Sequence, residues 1–263
     1  MPNNYTIKTI TRTVLCIPFH ERCRLVKTTR VNGWSIVDLY RVESSSGVQG
    51  IGENLALYGS PTSKESDFGR VVGRNVFDLL NDDSLGAGIQ MALFDLAGKL
   101  VDLPCHRLLG EQVRDVCPVS WWAQDMKPEE WAAEARLAES LGFTSIKVKA
   151  RPWFDIDRQL EAVCAAVSPH FKVDVDFNGL LLGVDHAAPL IRKLESKHAN
   201  LAIVESPIPQ ADVAGNTTLR QKIATPISFH FGNPPAPTAV RERVCDGFVI
   251  SGGATAVRSK GNF

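Results

Sequence analysis

Three short apolar runs, each ending in polar or charged residues, organise the middle of the chain: Ile146-Lys147-Val148-Lys149, Val173-Asp174-Val175-Asp176-Phe177-Asn178 and Ile203-Val204-Glu205-Ser206-Pro207. Each is alternating or almost continuously apolar over about five residues, as buried parallel strands are. Helix-length segments, 155–168 and 185–197, lie between them. Strand, helix, strand, helix, strand is the signature of βαβ units.

The same alternation extends in both directions. Strands are predicted over 116–123, 144–150, 171–177, 201–205, 226–231 and 247–251. The intervening helices fall at 128–141, around 218–223 and around 236–244. Pro128 suits a first helical position and Gly142 a helix stop. A further helix is expected after Gly253. Six βα units point to a parallel barrel, yet too few residues follow Val116 for a closed eight-unit barrel, which typically runs to about 250 residues. An incomplete barrel is therefore expected, with open edges that would favour self-association into a homo-oligomer.

The first part of the chain has a different grain. Alternating runs over 6–18, 30–43 and 48–54, with a Ser44-Ser45-Ser46-Gly47 turn, predict an antiparallel meander. The segment Pro18 to Thr29 has three Arg or Lys and no clear period, and reads as a loop, either solvated or closing over a site. Residues 64–110 read as helical. Gly88 to Leu100 is clearest, with Ile89, Met91, Ala92, Leu93, Leu96, Ala97 and Leu100 at helical spacing and an Asp95–Lys99 pair four residues apart. Two domains follow: an α+β unit over 1–115 and a partial (β/α) barrel over 116–263.

Net charge over the 263 residues is zero, which gives no basis for binding nucleic acid or an anionic membrane. No apolar run reaches the roughly 18 residues of a bilayer span, and the N-terminus lacks the apolar core of a signal peptide. Six cysteines at irregular spacings, without a CxxC pair, read as reduced thiols in a cytoplasmic protein.

Ligands of βα folds bind beyond the carboxyl ends of the strands. Lys147, Lys149, Asp176 and Glu205 fall there, so two amines and two carboxylates on one rim suggest a metal site beside a lysine base. Taken alone, Asp176 and Glu205 also fit ordinary strand-end carboxylates capping the next helix, and the lysines a solvated strand end. Of Trp121 and Trp122 at the first barrel strand, one must face the surrounding helices.

Four stretches carry a family resemblance. They are Gln90 to Lys99 with Leu108-Leu109-Gly110, the Lys147-Val148-Lys149 triplet, Asp174 to Gly179 with its Asp-x-Asn core, and Glu205-Ser206-Pro207. In this order, one βα unit apart, they resemble the enolase superfamily in its mandelate racemase and muconate lactonizing enzyme branch. The resemblance implies an α+β capping domain followed by a TIM-type barrel. It also implies a Mg²⁺-dependent lyase or isomerase that removes a proton alpha to the carboxylate of a small substrate through an enolate intermediate, of the acid-sugar dehydratase or cycloisomerase type. Carried over by motif, Asp176 and Glu205 would be metal ligands and Lys149 the base. Lys147 would be its neighbour on the substrate carboxylate, and Asn178 would line the site. The segments 18–29 and 53–59 match the cap loops that close the site, with Tyr58 as a substrate-contacting candidate.

Two departures qualify this expectation. The fifth barrel strand, Pro226 to Gly232, carries no carboxylate for a third metal ligand. His230 stands near that place, and imidazole suits Zn, Fe or Ni better than Mg²⁺. It reads first as a hydrogen-bonded pocket residue beside substrate, with ligation of another metal or a lost site as alternatives. The sixth strand, Gly247 to Gly253, has no lysine to oppose Lys149, so only one-base chemistry is supported. The alternative is a degenerate or truncated relative with a binding or scaffold role.

Overall fold

The computed structural model describes residues 4–57, 65–112, 114–250 and 253–254. Two compact units are distinguished: residues 1–115 together with 250–263, and residues 116–249.

In the first unit, β1 (Ile7–Cys16), β2 (Ile36–Ser44) and β3 (Gln49–Leu55) form an antiparallel meander in that order. The predicted loop at 18–29 is instead mostly helical: α1 spans Glu21–Val31 and a short 3₁₀ turn follows over Asn32–Ser35. The His20 side chain caps α1 by accepting from the Arg22 N–H. Only Cys23 of α1 is buried, so the segment lacks the apolar stripe by which a helix is recognised.

Helix α2 (Ala87–Val101) lies on the meander. Ile89, Leu93 and Leu96 join Ile7, Tyr40 and Val42 in one core. Met91, expected on the same face, is 48% exposed. Its place is taken by glycine: a Cβ on Gly52 would lie 2.1 Å from the Gly88 carbonyl oxygen, and one on Gly50 2.1 Å from that of Ala92. Strand and helix backbones thus meet without side chains between them. Asp95 and Lys99 pair at 2.7 Å, and Asp95 also accepts from the Ile51 N–H at 2.8 Å. A short α3 (Cys105–Leu109) follows. Of the stretch beyond Gly253, only Ala254 follows within the described residues. It donates its N–H to Gln90 Oε1 at 2.9 Å.

The second unit is a six-stranded parallel sheet with strands in chain order: β4 (Trp121–Ala123), β5 (Ser145–Lys149), β6 (Lys172–Asp176), β7 (Leu201–Glu205), β8 (Ile227–His230) and β9 (Gly247–Val249). The connecting helices are α4 (Pro128–Ser140), α5 (Ile156–Cys164), α6 (Val184–Lys197), α7 (Val213–Lys222) and α8 (Ala236–Glu242). Among the described residues β4 and β9 each have one neighbour, as in an incomplete barrel. Strand β4 is shorter than expected, and Val116 and Val119 before it are exposed.

Alternation divides the strands into two faces. Ile146, Val148, Val173, Val175, Val204, Ile227 and Phe229 are all buried, as expected of residues beneath the helical layer. The intervening positions carry Lys147, Lys149, Asp174, Asp176, Glu205, Ser228 and His230. Trp121 Nε1 donates to Glu134 of α4 at 2.8 Å, so Trp121 is the tryptophan that faces the helices. Trp122 is in register with Lys147. No helix among the described residues is long and apolar enough to cross a membrane.

Candidate active site

The polar face converges at the carboxyl ends of β5 to β8. Lys149 is in register with Asp176, Asp176 with Glu205, and Glu205 with Ser228. His230 is two residues beyond Ser228 and therefore returns to the same face. One ligating atom each from Asp176, Glu205 and His230 lies within 4.8 Å of the others. Asp176 is 0% and Glu205 3% exposed, whereas the His230 side chain is 50% exposed.

Each carboxylate has its own ammonium. Lys149 Nζ donates to Asp176 Oδ2, and Lys147 Nζ to Glu205 Oε2. Lys147 Nζ also lies 3.7 Å from Asp176 Oδ2. The Asn178 N–H donates to Asp176 Oδ1 at 2.9 Å. Burial pushes the Asp176 carboxyl up, but the Lys149 ammonium, the Asn178 amide and the Lys147 charge outweigh it and hold the group below its ordinary range. Glu205 goes the other way: burial and the Asp176 charge raise it despite Lys147. Asp174, deeper on the same face, is also raised by burial.

Glu205 Oε1 is buried and accepts no hydrogen bond. His230 Nε2 lies 3.1 Å from it, close enough for electrostatic contact but not aligned as a donor. An unpaired buried carboxylate oxygen is costly. With an imidazole beside it and a ligand atom of Asp176, Glu205 and His230 each within 4.8 Å of the others, these residues offer the converging donors that a divalent metal ion demands.

The loops after the strands hold this arrangement. Asn178 (φ 48°) and Ser206 (φ 44°) both adopt left-handed backbone beside the carboxylates. Asn178 Oδ1 accepts from Arg151 Nη2 at 2.7 Å and from Lys149 Nζ at 3.3 Å. Gln210 pins the end of β8. Its Oε1 accepts from the His230 N–H at 3.1 Å and from Ser206 Oγ at 2.8 Å, while its Nε2 donates to the His230 carbonyl at 3.1 Å and to that of Asn233. An apolar cavity of about 120 Å³ opens beside Arg151, lined by Phe154, Phe177, Leu180 and Leu181 among others.

Of the residues expected from sequence, Lys147, Lys149, Asp176, Asn178, Glu205 and His230 are thus gathered at one rim. Tyr58 lies outside the described residues. Arg151 and Gln210 were not expected. A cation two residues after Lys149 was a visible hint of the first, but nothing in the local pattern marks the second.

Residues 130–230 match the family described as Enolase C-terminal domain-like. Over these residues the chain is similar to the enolase superfamily, in its mandelate racemase and muconate lactonizing enzyme branch. It is 26% identical over 216 residues to the N-succinyl-L-Arg/Lys racemase of Bacillus cereus, covering 74% of this chain and 58% of the relative. It is 31% identical over 155 residues to the D-xylonate dehydratase of Haloferax volcanii, covering 50% of this chain and 36% of the relative. The matched part thus spans roughly half the length of these relatives. A crystal structure of muconate cycloisomerase from Pseudomonas fluorescens superposes with a TM-score of 0.75 at 23% identity, covering 98% of this chain and 76% of the other. That likeness establishes a shared fold. The family relatives are isomerases, epimerases and dehydratases.

Proposed function

We propose that this chain carries the proton-abstracting site of a lyase or isomerase acting on a small carboxylate substrate. The observation that supports it most is the in-register row of Lys149, Asp176 and Glu205 on three adjacent strand ends, with both lysines bonded to the carboxylates. Lys149 is the base. Its ammonium, bonded to Asp176, must first lose a proton before it can accept one from carbon. Asn178 Oδ1 accepts from the same amine at 3.3 Å and helps to hold it in place.

Asp176, Glu205 and His230 would hold a divalent cation, Mg²⁺ by family expectation. When bound, such an ion offsets the negative charge that grows on the substrate carboxylate as its alpha proton leaves. Lys147 orients that carboxylate, and Arg151 supplies a further guanidinium at the rim. β9 carries no lysine to oppose Lys149, and the reading that uses only the residues at this rim is one-base: syn elimination of water or cycloisomerisation. These reactions need a single abstraction.

The test is alpha-proton exchange in D₂O, followed by NMR, on a panel of sugar acids, N-acylated amino acids and muconolactone with a divalent ion present. Exchange that Lys149→Ala removes supports the reading. No exchange on any member of the panel by the metal-loaded wild-type chain would overturn it and favour a non-catalytic binding role.

A further inference from the structure

The row of ligating groups differs from an all-oxygen site at one position, and that difference has chemical content. We propose that the site selects a borderline divalent transition ion, Ni²⁺, Zn²⁺ or Co²⁺, over Mg²⁺, with His230 Nε2 as the third protein ligand. The inference rests on the cation-assisted reading above and concerns which ion is held.

Three observations support it. First, the stretch from Ile227 to Gly232 contains no carboxylate, so the strand that completes the row can offer only the Ser228 hydroxyl, backbone carbonyls and the His230 ring. Of these the ring approaches: Nε2 lies 3.1 Å from Glu205 Oε1, and one atom each of Asp176, Glu205 and His230 falls within 4.8 Å of the others. Second, Glu205 Oε1 is the buried oxygen with no hydrogen bond. Lys147 occupies the other oxygen of that carboxylate and Lys149 bonds Oδ2 of Asp176, so the oxygen without a hydrogen bond has the imidazole beside it. Third, the ring is not on a free loop. Gln210 bonds both the N–H and the carbonyl of His230, which fixes the backbone that carries the ring.

The chemistry follows from donor type. Mg²⁺ demands near-octahedral oxygen donors and gives up water reluctantly. An imidazole nitrogen with two carboxylates instead suits Zn²⁺, Ni²⁺ and Co²⁺, and affinity at a mixed nitrogen and oxygen site rises through Mn²⁺, Co²⁺ and Ni²⁺.

Equilibrium dialysis of the chelator-stripped full chain, with metal content by elemental analysis, tests this with Mg²⁺, Mn²⁺, Co²⁺, Ni²⁺ and Zn²⁺ in turn. One equivalent of Co²⁺, Ni²⁺ or Zn²⁺ is expected to bind at least tenfold tighter than Mg²⁺. His230→Ala, at a half-exposed side chain, is expected to stay folded and lose roughly 10- to 100-fold of transition-ion affinity. It should also lose the ligand-field band of the Co²⁺ form. His230→Asp is expected to reverse the preference toward Mg²⁺. If Mg²⁺ binds as tightly as the transition ions in an Asp176-dependent manner, and His230→Ala changes nothing, this inference fails while the carboxylate chemistry stands. Transition-ion binding that survives both His230→Ala and Asp176→Asn belongs to surface thiols and imidazoles and also overturns it. If no divalent ion binds at all, both this inference and the cation-assisted reading fall.

Discussion

Lys149 and Asp176 face each other in register across adjacent parallel strands, joined by a direct ammonium–carboxylate hydrogen bond in which the carboxylate is fully buried. Each is the answer to the other's burial. Replacing Lys149 by Met therefore has two separable effects. Alpha-proton exchange is expected to fall by about 10²- to 10⁴-fold or more, the contribution typical of a positioned base. Stability without metal is expected to drop by roughly 3–5 kcal/mol, because a buried charge loses its partner. Urea unfolding with and without a bound divalent ion checks the second effect: the ion should restore most of the loss.

Gln210 touches neither substrate nor ligand atoms, yet its amide spans Ser206, His230 and Asn233. Gln210→Ala should leave the fold intact at a cost of about 1–3 kcal/mol. It should also weaken transition-ion binding by roughly tenfold, because the β8 end is no longer held. Metal affinity measured beside circular dichroism distinguishes this from a general loss of structure.

Gly52 sits where β3 meets α2 with no room for a methyl group. Gly52→Ala forces the backbones apart and is expected to destabilise the first unit by about 1–3 kcal/mol or more. A matched substitution at Gly47, where a Cβ would meet nothing within 4 Å, controls for crowding. At Gly47 the φ of 85° leaves backbone strain as the principal cost. Thermal unfolding of the two variants separates crowding from strain.

Asp157 on α5 accepts from Lys193 at 2.8 Å, from Lys197 at 2.9 Å and pairs with His198 Nε2 at 2.7 Å. The Lys193 hydrogen bond, then those of Lys197 and His198, hold its carboxyl far below the ordinary range. A depressed folded value means stabilisation that is present above the unfolded value, about 3.9, and lost as pH falls below it. Asp157→Asn should therefore be less stable than the parent at pH 7, with the gap closing between about pH 5 and pH 2. The gap should be modest, since both lysines are half exposed and screened. Urea midpoints across that range provide the check.

Much of this architecture was legible in the residue pattern. The runs at Ile146, Val173 and Ile203 announced parallel strands, and their polar ends announced the rim, because alternation in a strand fixes which residues share a face. Helix α1 was not legible: only Cys23 is buried, so no apolar period marks it. Met91 was misplaced for a related reason. Helical spacing puts it near the apolar stripe, but the space beside it is filled by the backbone at Gly50 and Gly52. Gln210 was invisible because, apart from Ser206 four residues before it, its partners lie on another strand and in another loop, 20 or more residues away. His230 was visible as a misfit to the family pattern. Its approach to the unpaired oxygen of Glu205 required the fold.

The division of each barrel strand into alternate residues also shapes how this protein can change. On β8, Ile227 and Phe229 pack beneath the helices while Ser228 and His230 face the rim. A single substitution at position 230 can exchange one donor atom for another without altering the packing that Phe229 secures. Variation in the donor at position 230 is thereby separated from variation in the packing of the helical layer.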